Sequence, residues 1–126
     1  MENYIDTKQY ILLVEDDLDI SEAIKSILED ENFQVECKFN GKEALDYLNS
    51  TRSNPSLILL DVMMPLMNGE EFRKNQLLDS KIAKIPTVIM SATDKYEELT
   101  KLNFQECLKK PLDLDTLLDV VKKLMI

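Results

Sequence analysis

Histidine is absent from this 126-residue chain, and glycine and cysteine occur only twice each. Without histidine there is no imidazole to act as general base, and a metal site would have to be built from oxygen or thiolate donors. Cys37 and Cys107 match no metal-binding spacing, and two cysteines make no disulfide framework for a chain of this size. They read as two reduced, packed intracellular thiols. Gly41 and Gly69 leave no room for a glycine-rich phosphate loop. The longest apolar runs, Ile11-Leu12-Leu13-Val14 and Leu57-Ile58-Leu59-Leu60, fall far short of the roughly 20 residues of a membrane span. The opening Met1-Glu2-Asn3-Tyr4-Ile5-Asp6 lacks the basic and then apolar pattern of a secretion signal. Positive charge is also scarce, with 15 Lys and Arg against 24 Asp and Glu and a formal net charge of −9. Such an acidic balance argues against nucleic acid as a direct ligand, because phosphate backbones demand a basic footprint. The expectation is a cytoplasmic domain without membrane attachment.

Apolar residues are plentiful at 44%, enough for a core, and the length fits one domain. Short apolar runs alternate with helical patterns along the chain. Ile11–Val14 stops at Glu15-Asp16-Asp17, and then Ile20, Ile24, Ile27 and Leu28 recur at helical spacing. Phe33, Val35, Cys37 and Phe39 alternate with polar residues, as in a strand with one face more buried. Asn40 and Glu43 read as a helix cap ahead of Ala44, Leu45 and Leu48. Leu57–Leu60 is a second apolar run, ending at Asp61. Pro65 and Asn68-Gly69 precede a helix with a thin apolar face through Phe72, Leu77 and Leu78. Pro86 introduces the run Thr87-Val88-Ile89-Met90, which ends at Ser91. Tyr96, Leu99 and Leu102 mark a short helix. Glu106-Cys107-Leu108 is a weak fifth strand, and Leu114, Leu117, Leu118, Val121 and Leu124 form a C-terminal helix. This repeated β-α order predicts an α/β flavodoxin-like doubly wound fold, a (βα)5 unit with a parallel five-stranded sheet in the order 2-1-3-4-5 and helices on both faces.

In such a sheet the functional crevice lies at the carboxyl ends of the central strands. The residues at those ends are Glu15, Asp16, Asp61, Ser91 and Lys110. Three carboxylates brought together repel one another unless a cation neutralises them. Hard oxygen donors without histidine or thiolate favour Mg2+, with Mn2+ as an alternative. Lys110 and Ser91 would stand beside phosphoryl oxygens. Asp61 would then be a nucleophile toward phosphorus, forming an acyl phosphate.

The segments Ile11–Asp17, Asp61-Val62-Met63-Met64-Pro65-Leu66-Met67-Asn68-Gly69, Ser91-Ala92 and Lys110-Pro111 together resemble the receiver domain of bacterial two-component response regulators. The resemblance covers residues 9–126, leaving 1–8 as an N-terminal extension and no output domain. It implies Asp61 as phosphoacceptor and Glu15, Asp16, Asp61 and the backbone carbonyl of Met63 as metal ligands. It also implies Ser91 as hydroxyl switch, Lys110 as the active-site lysine, and a cis Lys110-Pro111 bond. The implied function is a signalling protein, not a turnover enzyme. It would accept phosphate in a Mg2+-dependent phosphorelay from a histidine kinase or histidine phosphotransfer domain, then pass the signal on through protein contacts as a monomer or weak dimer.

Two departures stand out. Cys107 occupies the switch position where receivers carry Tyr or Phe, and a thiol is too small to act as the same rotamer switch. The reading favoured on this ground is weak conformational switching. Asn103-Phe104 replaces the family's Gly-Ala, with Asn as the next-best residue for a left-handed helix end. Met63, by resemblance, occupies a position that tunes dephosphorylation. Asp17 reads as a helix cap, Lys109 as solvent-facing, and Tyr96 as either core cover or partner contact. Two other functions compete. A Mg2+-dependent Asp-nucleophile phosphatase would need a second Asp two residues after the first, where this chain has Met63. A degenerate receiver acting only as a binding module is at odds with the complete set Glu15, Asp16, Asp61, Ser91 and Lys110.

Overall fold

The computed structural model describes residues 9–62, 68–92, 99 and 101–125. Met63 and Tyr96 lie outside the described residues. Five parallel strands, β1 (Tyr10–Val14), β2 (Gln34–Lys38), β3 (Leu57–Asp61), β4 (Thr87–Ser91) and β5 (Glu106–Lys109), form one sheet in the order β2-β1-β3-β4-β5. The described helices are α1 (Leu18–Asp30), α2 (Gly41–Ser50), α3 (Gly69–Leu78) and α4 (Leu114–Leu124). The predicted fold class and strand order are those observed. The helix expected around Tyr96 falls largely outside the described residues.

The two-residue period of a strand explains why the apolar runs are continuous. Ile11, Leu13, Leu57, Leu59, Val88 and Met90 pack on one side with Ile24 and Leu28 of α1 and Leu117 and Val121 of α4. Leu12, Val14, Ile58 and Leu60 pack on the other with Ala44 and Leu48 of α2 and Phe72 of α3. Every residue of β3 and β4 is buried. A third cluster joins Ile89 to Leu99 and Leu102, with Val62, Phe104 and Cys107 packed against it.

β2 departs from the expected one-sided strand. Its residues are exposed or half-buried throughout, because it is an edge strand with a neighbour on one side only. Phe33 and Phe39 fall outside it. The apolar face expected for α3 is also corrected: Leu78 is 87% exposed and Leu77 38%, while Phe72, Arg73 and Gln76 are buried.

With so few glycines, asparagine supplies the left-handed turns. Asn32 has φ 70° just past α1, where its N–H donates to Glu29 O and that of Phe33 to Leu28 O. That pair of bonds is a Schellman closure. Asn103 has φ 54°, the conformation expected of it, and the Lys110-Pro111 bond is cis.

Candidate functional site

The direction of winding across the sheet reverses between β1 and β3, and the candidate site residues gather at that switch point. Val14 pairs with Leu60, Asp61 with Met90, and Ser91 with Lys109, so Glu15, Asp61, Ser91 and Lys110 leave the sheet along one rim. The Lys110 N–H donates to Ser91 O at 2.8 Å, extending the β4–β5 ladder to the lysine.

Glu15 is fully buried and Asp61 is 3% exposed, while Asp16 is exposed. One carboxylate oxygen from each lies within 4.8 Å of the other two. Lys110 enters this group from the side. Its Nζ donates to Glu15 Oε1 at 3.0 Å and lies 3.3 Å from Asp61 Oδ1. The other Glu15 oxygen accepts the Asp17 N–H at 3.2 Å, and the Glu15 N–H donates to Lys38 O. Burial works to lower the Lys110 pKa, but the hydrogen bond that the ammonium donates to Glu15 and the charges of Asp61 and Glu15 outweigh it, so the ammonium titrates above its ordinary value. Three acids facing one ammonium leave an excess of negative charge that a divalent ion can balance. The donors are the hard oxygens that Mg2+ takes.

Asp17 caps α1 by accepting the Ile20 N–H at 3.1 Å, which turns the acidic triplet so that Glu15 faces inward and Asp17 serves the helix. On the far side, the start of α3 presses against the end of β3. The Gly69 N–H donates to Val62 O at 2.9 Å. A Cβ on Gly69 would lie 2.5 Å from Asp61 O and 2.6 Å from Val62 Cα. Gly69 therefore lets a helix terminus sit directly against the backbone of Asp61. Asn68 makes a reciprocal capping box with Glu71, accepting the Glu71 N–H at 2.9 Å while the Glu71 carboxylate reaches back to the Asn68 N–H. In the sequence Asn68-Gly69 reads as a chain break and as the end of the Asp61–Gly69 segment; the S/T/D/N-x-x-E spacing from Asn68 to Glu71 is the further signal, for the cap.

Ser91 is buried at the end of β4. Cys107 lies on β5 against Ile89, Leu99 and Leu102. Burial, with the Glu106 charge beside it, pushes its thiol pKa up, which suits a packed, protonated side chain. Two polar residues escaped sequence reasoning. Arg73 and Gln76 are buried on α3, where a charged residue at helical spacing reads as part of a solvated face.

A doubly wound parallel sheet with clustered carboxylates and a lysine at the ends of its central strands is the architecture of signalling receivers. The family model of the response regulator receiver domain matches residues 11–122, and the chain belongs to that family. The transcriptional regulatory protein CrdR of Helicobacter pylori is 38% identical over 116 residues, covering 90% of this chain and 53% of that protein. Sporulation initiation phosphotransferase F of Bacillus subtilis is 32% identical over 114 residues, covering 90% of each. The chain spans about half the length of the first curated relatives it matches. Among solved structures, the chemotaxis response regulator CheY4 of Vibrio cholerae superposes with a TM-score of 0.84 at 27% identity, covering 94% of this chain and 99% of that one. No described helix is long and apolar enough to cross a membrane.

Proposed function

We propose that this chain, over residues 9–126, is a phosphoacceptor receiver. Asp61 takes a phosphoryl group from the phosphohistidine of a histidine kinase or histidine phosphotransfer domain. A carboxylate oxygen of Asp61 forms the bond to phosphorus as the bond to the imidazole nitrogen breaks, and the leaving imidazole keeps the electron pair and takes a proton. Transfer of this kind depends on positioning and charge neutralisation more than on covalent assistance. Glu15, Asp16 and Asp61 would hold a magnesium ion, which when bound supplies the charge that neutralises the phosphoryl oxygens. Lys110, already drawn between Glu15 and Asp61, holds a second positive charge where the phosphoryl oxygens arrive. Ser91, at the end of the adjacent strand, has the hydroxyl that would meet one of those oxygens. Glu15 works through its burial: its carboxylate orients Lys110 and keeps Asp17 in its capping position.

The observation that carries this reading is the burial of Asp61 within 3.3 Å of Lys110 and beside two further carboxylates. A buried carboxylate at a strand end, with a lysine and an acid pair around it, is a nucleophile held ready and not a surface charge. The reading is of a signalling substrate without turnover on phosphate esters. Incubation with phosphoramidate or acetyl phosphate and Mg2+, followed by intact mass measurement, should give a single phosphoryl adduct. It should be labile to hydroxylamine and absent after removal of Mg2+ or in Asp61→Asn. An adduct that persists in Asp61→Asn would refute the assignment.

A further inference from the structure

Arg73 lies outside the site and is 2% exposed, a rare position for arginine on a helix of a small domain. Its hydrogen bonds among the described residues all go to neutral oxygens on three different parts of the chain. Nε donates to Leu102 O at 2.9 Å and Nη2 to Asn103 O. Nη1 donates to Gln76 Oε1 at 2.7 Å, within α3, and to Thr87 Oγ1 at 3.0 Å, at the start of β4. The network is closed around it. Gln76 Nε2 donates to Ile82 O at 3.0 Å, and the Thr87 N–H donates to the Gln105 side chain at 2.6 Å. The planar fork of the guanidinium suits this task, since it alone among side chains offers five donors in fixed directions.

Leu102 and Asn103 close the turn that leads into β5, and Asn103 sits there in the left-handed conformation. Leu102 also packs with Leu99 and Ile89 in the cluster that Cys107 joins. To move this stretch relative to α3 and β4, two carbonyls must leave a buried cation that keeps only Gln76 and Thr87 as acceptors among the described residues. Buried charged networks are costly to open for that reason.

We propose that Arg73 is a conformational lock, tying the chain at Leu102–Asn103 to α3 and β4 so that a rearrangement begun at Asp61 and Ser91 stops short of β5 and Cys107. The proposal rests on the phosphoacceptor reading of Asp61 and sharpens it. With the lock closed and a thiol at position 107, the information carried by this receiver stays in the phosphoryl group itself. Its output is then transfer of that group to another histidine-bearing partner, in preference to a reshaped surface beside β5.

Amide hydrogen exchange on the whole chain, read by mass spectrometry with and without beryllofluoride and Mg2+, tests this. In the wild type, beryllofluoride should protect peptides containing Asp61 and Ser91, while exchange across residues 99–109 stays within about twofold of its resting rate. In Arg73→Met, residues 99–109 should exchange at least about tenfold faster at rest and should now respond to beryllofluoride. A merely structural arginine would give the first effect without the second. A folded Arg73→Met protein with wild-type exchange over 99–109, or one whose faster exchange ignores beryllofluoride, overturns the proposal. So does a wild type whose 99–109 peptides respond strongly. Should Arg73→Met not fold, Thr87→Val removes one acceptor at nearly constant shape; exchange over 99–109 about threefold faster and beryllofluoride-sensitive supports the lock, and unchanged exchange refutes it. A wild type that shows no response at Asp61 would refute the phosphoacceptor reading, while the resting comparison of wild type and Arg73→Met would still decide whether Arg73 holds the segment.

Discussion

Asp61 and Gly69 illustrate two kinds of single-residue requirement, only one of which can be read without coordinates. An acid placed directly after four apolar residues is anomalous as a surface group, so Asp61 announced itself, as did Glu15 after Ile11–Val14. Gly69 has no positive φ and no distinctive neighbour beyond Asn68. Its necessity arises from a contact across the fold, against the Asp61 carbonyl. Gly69→Ala should therefore cost about 1–3 kcal/mol, the usual penalty for forcing a group into filled space. A lowered urea midpoint with an unchanged denaturant slope would show it. Arg73 and Gln76 were illegible for a related reason: their partners are backbone carbonyls and a threonine hydroxyl distant in sequence, which no local spacing encodes.

At the scale of elements, the strands were the clearest signal, because the sheet buries both faces and makes β1, β3 and β4 nearly uniformly apolar. β2 was harder to bound, since an edge strand has no such contrast between its faces. α3 is the instructive helix. Its apolar side is Phe72 and little else, and it is held by the capping box at one end and by the buried polar network along its inner face. The cap should matter accordingly. Asn68→Ala is expected to lower stability by about 1 kcal/mol, as loss of an N-cap does. Because the two halves of the box act together, Glu71→Ala should add less in that background than alone, which a double-mutant cycle by urea unfolding measures.

For the whole molecule, the topology followed from the β-α order and the connection rules, and the rim site followed from the topology. The arrangement of charge at the rim did not. Sequence reasoning left the crowded carboxylates to be neutralised by a metal, whereas the structure also places the Lys110 ammonium between Glu15 and Asp61. The pH dependence follows from this pairing. The Lys110 pKa is raised in the folded chain, so its contribution to stability is complete below the unfolded lysine value of about 10.4 and fades as pH rises through the higher folded value. Lys110→Met should thus be less stable than the wild type at pH 7–9, and the gap between their melting temperatures should close above about pH 10.5.

Folding also governs how this chain ages. An asparagine followed by glycine is the dipeptide most prone to deamidate, because the glycine nitrogen can close a succinimide ring on the asparagine side chain. At Asn68-Gly69 that nitrogen is engaged with Val62 O, and the Asn68 side-chain oxygen accepts the Glu71 N–H. The contacts that seat α3 against the end of β3 thereby shelter a labile bond, which becomes vulnerable whenever the helix start frays.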